Sequence, residues 1–200
     1  MNVLFEEDGH FRAGSVMTDS VSSLQVELPS GKRSKVKAAN VLLRFASPDP
    51  AALLAAAEVQ ATDLDATFLW DVCGDDEFPF EELAREYHGA APTAEQAAAI
   101  LLCLHAAPVY FHRKGKGRFR KAPPDILKAA LAGLEKKRLQ QEQVDGWVAE
   151  LLAGRTPPDI AACSAQILYK PDRNRLETKA VEAAAASAGL SVVALMAKAG

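Results

Sequence analysis

Three cysteines, four histidines and few aromatic residues leave this 200-residue chain little material for a metal cage, a redox pair or a large aromatic core. Cys73, Cys103 and Cys163 are odd in number, scattered and without CxxC spacing, which argues against a disulfide framework or a zinc ribbon. The expectation is a reduced, cytoplasmic protein with idle thiols. His10, His88, His105 and His112 form neither HExxH nor HxH. His105 ends an apolar stretch and reads as a partly buried, hydrogen-bonded side chain. There is no GxSxG, no cysteine–histidine pair in a nucleophile context, and no GxxxxGK[ST] phosphate loop. Asp63 and Asp65 lack the remaining spacing of a calcium loop. Asp75, Asp76 and Glu77 are adjacent in "CGDDEF", so their side chains splay apart and suit a solvated loop or helix cap better than a cation. No catalytic centre, metal or cofactor is expected in this chain. No apolar run approaches the ~20 residues of a membrane-spanning helix. The opening "MNVLFEEDGH" has acids where a secretory signal carries a basic flank.

What is present divides along the chain. The first 45 residues hold five short β-leaning runs: "NVLFEE", "FRAGSVM", "LQVELP", "SKVKAA" and "NVLLRF". "LQVELP" alternates Leu24, Val26 and Leu28 on one face, and turns fall at Asp8-Gly9 and Pro29-Ser30-Gly31. Five strands in so short a stretch predict a small SH3-like antiparallel β-barrel over residues 1–46. From there the chain turns alanine-rich and helical, alanine being the best helix former. Asp49 and Pro50 offer an N-cap and a first-turn proline, opening a helical linker over 47–76. Thr93 and Gln96 have capping-box spacing ahead of "AEQAAAILLCLHA". "FPFEELAREYHG", that helix and a hairpin around "GKG" follow in the order of a winged helix over 77–125. Residues 126–200 read as a helical region. Leu127, Leu131 and Leu134, then Val144, Trp147 and Leu151, recur at helical spacing, with Gly146 a candidate interruption. The final "GLSVVALMAKAG" is an apolar helix without a visible partner, expected to be poorly packed and to lead towards a further domain. The overall expectation is an α+β, mainly helical fold.

The most unusual stretch is "YFHRKGKGRFRK". Arg113, Lys114, Lys116, Arg118, Arg120 and Lys121 crowd a hairpin, while the rest of the chain without them carries −9. Charge gathered against the overall balance is the footprint of a polyanion contact. A wing of this kind can lie along a nucleic-acid backbone, with Tyr110 and Phe119 placed either to stack on bases or to anchor the hairpin. A second basic stretch, "GKRSKVK", places Lys32, Arg33, Lys35 and Lys37 at a strand turn of the barrel.

The phrases "MNVLFEEDGHFRAGSV", "LPSGKRSKVKAANVLLRF", "YFHRKGKGRFRKAPPDILKAALAGLEKKR" and "ILYKPDRNRLETKA" resemble the N-terminal region of bacterial ribonuclease II-type exoribonucleases. The branch they resemble carries a winged-helix module ahead of its catalytic domain. The resemblance implies an RNA-binding region of a hydrolytic 3′–5′ exoribonuclease. It would hold single-stranded RNA for a C-terminal catalytic domain that uses Mg²⁺ held by aspartates; that aspartate cluster is not in this sequence. Two other readings are a DNA-binding winged-helix regulator and a protein-interaction adaptor. Against the regulator, "TAEQAAAILLCLHAA" brings Glu95 and Gln96 but no lysine or arginine to a groove. With no convergent carboxylate set, the chain should leave labelled single-stranded RNA intact in Mg²⁺ or Mn²⁺. Stepwise 3′ shortening that persists through repurification would overturn this.

Overall fold

A computed structural model describes residues 1–199. The chain is α+β, with about 53% helix and 21% strand. It forms two compact units, the first Met1–Leu127 and the second from Lys128 onward. The boundaries expected at residues 46 and 76 both fall inside the first unit.

In the first unit, β1 (Asn2–Glu7), β2 (His10–Asp19), β3 (Ser23–Glu27), β4 (Arg33–Lys37) and β5 (Val41–Phe45) form one antiparallel sheet. Its order is β4-β3-β2-β1-β5. The Asp8-Gly9 turn joins β1 to β2 with both residues at positive φ, the geometry that matches strand twist in a two-residue hairpin. Among the described residues no ladder joins β4 to β5, so the sheet is open where a barrel was expected. It nevertheless buries both faces. Val3 and Phe5 pack with Leu24, Val26, Leu28 and Val36 on one side, while Leu4, Ala13, Leu42 and Phe45 enter the main core on the other.

That main core explains why residues 47–76 are more than a linker. α1 (Pro50–Thr62) begins at the expected Asp49 cap, whose carboxylate accepts from Ala51 N, and contributes Leu53 and Ala57. α2 (Ala66–Val72), which the sequence reading passed over, is capped by Asp65 and contributes Leu69. A two-residue strand, β6 (Phe78–Pro79), leads into α3 (Phe80–His88). α4 (Ala94–Ala106) carries the complete Thr93–Gln96 capping box and runs through the middle, with Ala97 through Leu101 all buried. β7 (Phe111–Gly115) and β8 (Arg118–Lys121) form the basic hairpin, and β6 adds to it in the order β6-β8-β7.

α5 (Pro124–Leu152) passes through Gly133 and Gly146 without interruption. Leu131 and Leu134, expected to pack, are exposed, whereas Val144, Trp147 and Leu151 are buried. In the second unit these last three meet α6 (Pro158–Ala162), α7 (Ser164–Tyr169), α8 (Leu176–Ala188) and α9 (Val192–Ala199) in a separate core. The partnerless apolar end is a misreading. Gly189, at φ 65, turns the chain after α8, and Leu195, Met196 and Ala199 of α9 are buried in that core beside Val181 and Ala185. Alanine at α8's core positions lets a short helix settle closely, a match that spacing within α9 alone does not reveal. No single described helix is long and apolar enough to cross a membrane.

One glycine decides how the hairpin docks. Gly117 has φ 70, and a Cβ there would lie 2.9 Å from Cδ1 of the buried Phe80 ring. Its carbonyl accepts from Phe80 N at 3.0 Å. Gly117→Ala should therefore lower stability by about 2–4 kcal/mol, combining left-handed strain with overpacking. Gly31→Ala, at φ 80 but in open space, should lose only about 1–2 kcal/mol. Urea unfolding of the two variants checks this; equal losses would mean that Phe80 yields freely.

Candidate nucleic-acid interface

The hairpin's inward face is apolar. Phe111 and Phe119 are both buried, and Phe119 pairs across the sheet with Phe78. At about 1.5–3 kcal/mol for each fully buried phenylalanine, these two side chains are the hairpin's main anchor. Phe119 is thereby removed from the set of candidate stacking residues. It is 2% exposed because its register sets it beside Phe78 on the core side. Tyr110 is half-buried against the same core, and its hydroxyl accepts from Thr67 Oγ1 at 3.1 Å. The tip is a two-residue turn with Lys116 and Gly117 both at positive φ, preceded by a register shift that leaves Lys114 without a partner residue.

The six cations divide into two sets. Arg118 pairs with the Glu77 carboxylate and donates from Nη2 to the Glu77 carbonyl at 3.3 Å. Arg120 Nε donates to the Asp75 carbonyl at 3.1 Å. Lys121 Nζ donates to the Cys73 carbonyl at 2.9 Å, lies 3.1 Å from Asp75 Oδ1, and sits 5.1 Å from the Trp70 ring centre. Trp70 in turn donates to the Ala122 carbonyl at 2.8 Å. The acidic loop 73–77, read from sequence as a solvated turn, is thus the hairpin's electrostatic partner. The available signal was charge complementarity between "CGDDEF" and "RFRK"; distance in sequence obscured it.

These contacts differ in strength. Arg118 and Glu77 keep 45% and 42% of their side-chain surface in water, and such pairs contribute about 0–1 kcal/mol. Lys121 is 16% exposed and has three partners counting the indole face, so it is a structural fixture.

The second set comprises Arg113, Lys114 and Lys116, all exposed, none of which forms an ion pair among the described residues. Arg113 Nη1 instead donates to His105 Nε2 at the end of α4. An arginine can only donate, so this nitrogen must accept, which requires neutral imidazole with its proton on Nδ1. Lys32, Arg33, Lys35 and Lys37, on and beside β4, are likewise exposed and unpaired among the described residues. The β1–β2 turn lies between the two groups. Glu7 Oε1 accepts from Ser34 Oγ of β4 at 3.0 Å, while Glu6, Asp8 and Gly9 line a shallow cavity with Lys116 and Asn40.

Burial pushes the Cys73 and Cys103 thiols above their ordinary value, away from the reactive thiolate. Among the described residues no three His, Cys, Asp or Glu side chains converge as a metal site. Comparison with protein-family models, curated proteins and solved structures finds no match, so the resemblance to ribonuclease II-type enzymes rests on the quoted phrases alone.

Burial, then the positive charge of Arg113, holds the His105 pKa below its ordinary 6.5. The unfolded chain therefore binds the proton more readily, and this group's contribution to stability falls as pH drops below about 6.5. Arg113→Ala should raise the His105 pKa part of the way, leaving it below the ordinary value because burial persists. An NMR titration of the ring protons reads this, and an unchanged midpoint would dissociate the pair.

Proposed function

We propose that the chain is the RNA-binding region of a hydrolytic 3′–5′ exoribonuclease of ribonuclease II type. In this reading it holds single-stranded RNA by its phosphates for the protein's own C-terminal catalytic domain, carried outside these 200 residues. Any Mg²⁺ belongs to that domain. The observation that carries the reading is a hairpin, anchored by Phe111 and Phe119, that presents Arg113, Lys114 and Lys116 without carboxylate partners among the described residues. Lysine and arginine held out in this way neutralise phosphates and release counterions. Lys32, Arg33, Lys35 and Lys37 extend the basic surface from the other side of the β1–β2 turn.

The order α3, α4, β7, β8, with β6 as a third strand, supports the winged-helix reading of this region. The strand order of the first sheet, with a single 3-10 turn at Ala38–Asn40 before β5, supports the SH3-like one. The regulator reading is disfavoured by α4. Only Ala106 in that helix is exposed, so it offers no face to a major groove.

Replacing Lys114 and Lys116 together with alanine tests the proposal. Each lost phosphate contact should flatten the slope of log affinity against log salt by about 0.7, so the pair should remove about 1.4. The loss should be equal across unrelated RNA sequences, because phosphate contacts carry no base information. Stability should change by less than about 0.5 kcal/mol. Unchanged affinity and slope would dismiss the hairpin and move attention to Lys32, Arg33 and Lys35.

A further inference from the structure

We propose that the Asp75–Glu77 loop is a built-in competitor for the RNA backbone, occupying part of the hairpin until a phosphate displaces it. The inference rests on the RNA-binding reading above. Its basis is the oxygens the loop presents to Arg118 and Arg120. Arg118 meets both the carboxylate and the carbonyl of Glu77, and Arg120 meets the carbonyl of Asp75. A guanidinium engages two phosphate oxygens in the same forked manner, so the exchange needs no new geometry on the arginine.

The loop can release Arg118 because the pair stands in water, where an ion pair is weak and exchanges readily. It does not release Lys121, which is largely enclosed by the Cys73 carbonyl, Asp75 and the Trp70 ring. The hairpin therefore stays docked while its arginines change partners. Three consequences follow. The resting surface offers Arg113, Lys114 and Lys116 first. A strand that goes on to engage Arg118 must expel Glu77, whose negative charge then opposes it. Binding is accordingly weaker, and its salt dependence shallower, than six free cations would give.

Glu77→Gln separates this role from simple docking, since it removes the competing charge but keeps oxygens for Arg118. Glu58→Gln, at an exposed position of α1, is the control for loss of one negative charge. A labelled oligouridylate is titrated across a salt series with wild type and both variants, and thermal melts verify folding. Glu77→Gln should bind several-fold more tightly at low salt and steepen the slope by about 0.7, one further phosphate. Glu58→Gln should leave the slope unchanged. If Glu77→Gln matches Glu58→Gln while wild type binds through Lys114 and Lys116, the competitor role is wrong and the RNA-binding reading stands. Weaker binding by Glu77→Gln would make the loop a positioning element and overturn the proposal. No binding by wild type or either variant would overturn both readings.

Discussion

Phe111 and Phe119 decide where the charge of this protein can go. A hairpin with six cations in so short a stretch repels itself, and two-stranded hairpins are marginal alone in water. Burying two phenylalanines on one face supplies the attraction that the backbone ladder lacks. β6 then adds Phe78 against Phe119, and Gly117 closes to within reach of Phe80 and Leu42. With the inward face committed, alternation sends Arg118 and Arg120 outward. The register shift near the tip leaves Lys114 unpaired with any opposite residue. The same core takes in Leu4 and Phe45 from the first sheet, Leu53 from α1 and Leu101 from α4. Charge presentation and the cohesion of the first unit therefore depend on the same buried side chains.

The acidic loop resolves the tension left on the outer face. Without Asp75 and Glu77, Arg118 and Arg120 would share the outer face with no partner beyond solvent, and Lys121 would keep only the Cys73 carbonyl and the Trp70 ring. With them, Lys121 becomes part of the scaffold and Arg118 remains nearly half in water. A difference in burial thus distinguishes the enclosed Lys121 from the solvated Arg118. Sequence counts all six alike, and only the geometry distinguishes them.

How much of this was legible follows from the range of the signals. Asp49, and Thr93 with Gln96, act within one helical turn, and they mark helix starts where expected. The "GKG" hairpin and the Asp8-Gly9 turn are equally local, set by backbone conformations that few residues adopt. Long-range relations were not legible. Residues 47–76 looked like a linker because α1's apolar residues sit among alanines and give no clear stripe. α2 is short and was obscured by the aspartates before it. α9 seemed partnerless because the alanines of α8 reveal a packing surface only once the chain has turned at Gly189. Closure of the sheet failed as an expectation for a related reason. Local strand signals give the number of strands, whereas pairing between β4 and β5 depends on how far the sheet curls.

The side chains left exposed also constrain what the basic surface can recognise. The aromatics interleaved with its cations are withdrawn: Phe111 and Phe119 lie in the core, and Tyr110 is half-buried with its hydroxyl engaged by Thr67. Stacking on aromatic rings is what usually favours unpaired bases over a duplex, contributing about 1–3 kcal/mol per base. On the proposed reading, a hairpin that turns its phenylalanine rings inward and leaves only the His112 imidazole exposed holds a strand mainly by its phosphates. Selectivity for single strands would, on that reading, arise from the shape of the path between the hairpin and β4, or from the proposed catalytic domain. On the proposed reading this suits a region that feeds any transcript to one catalytic site, since a base preference at the entrance would stall the strand as its sequence changed.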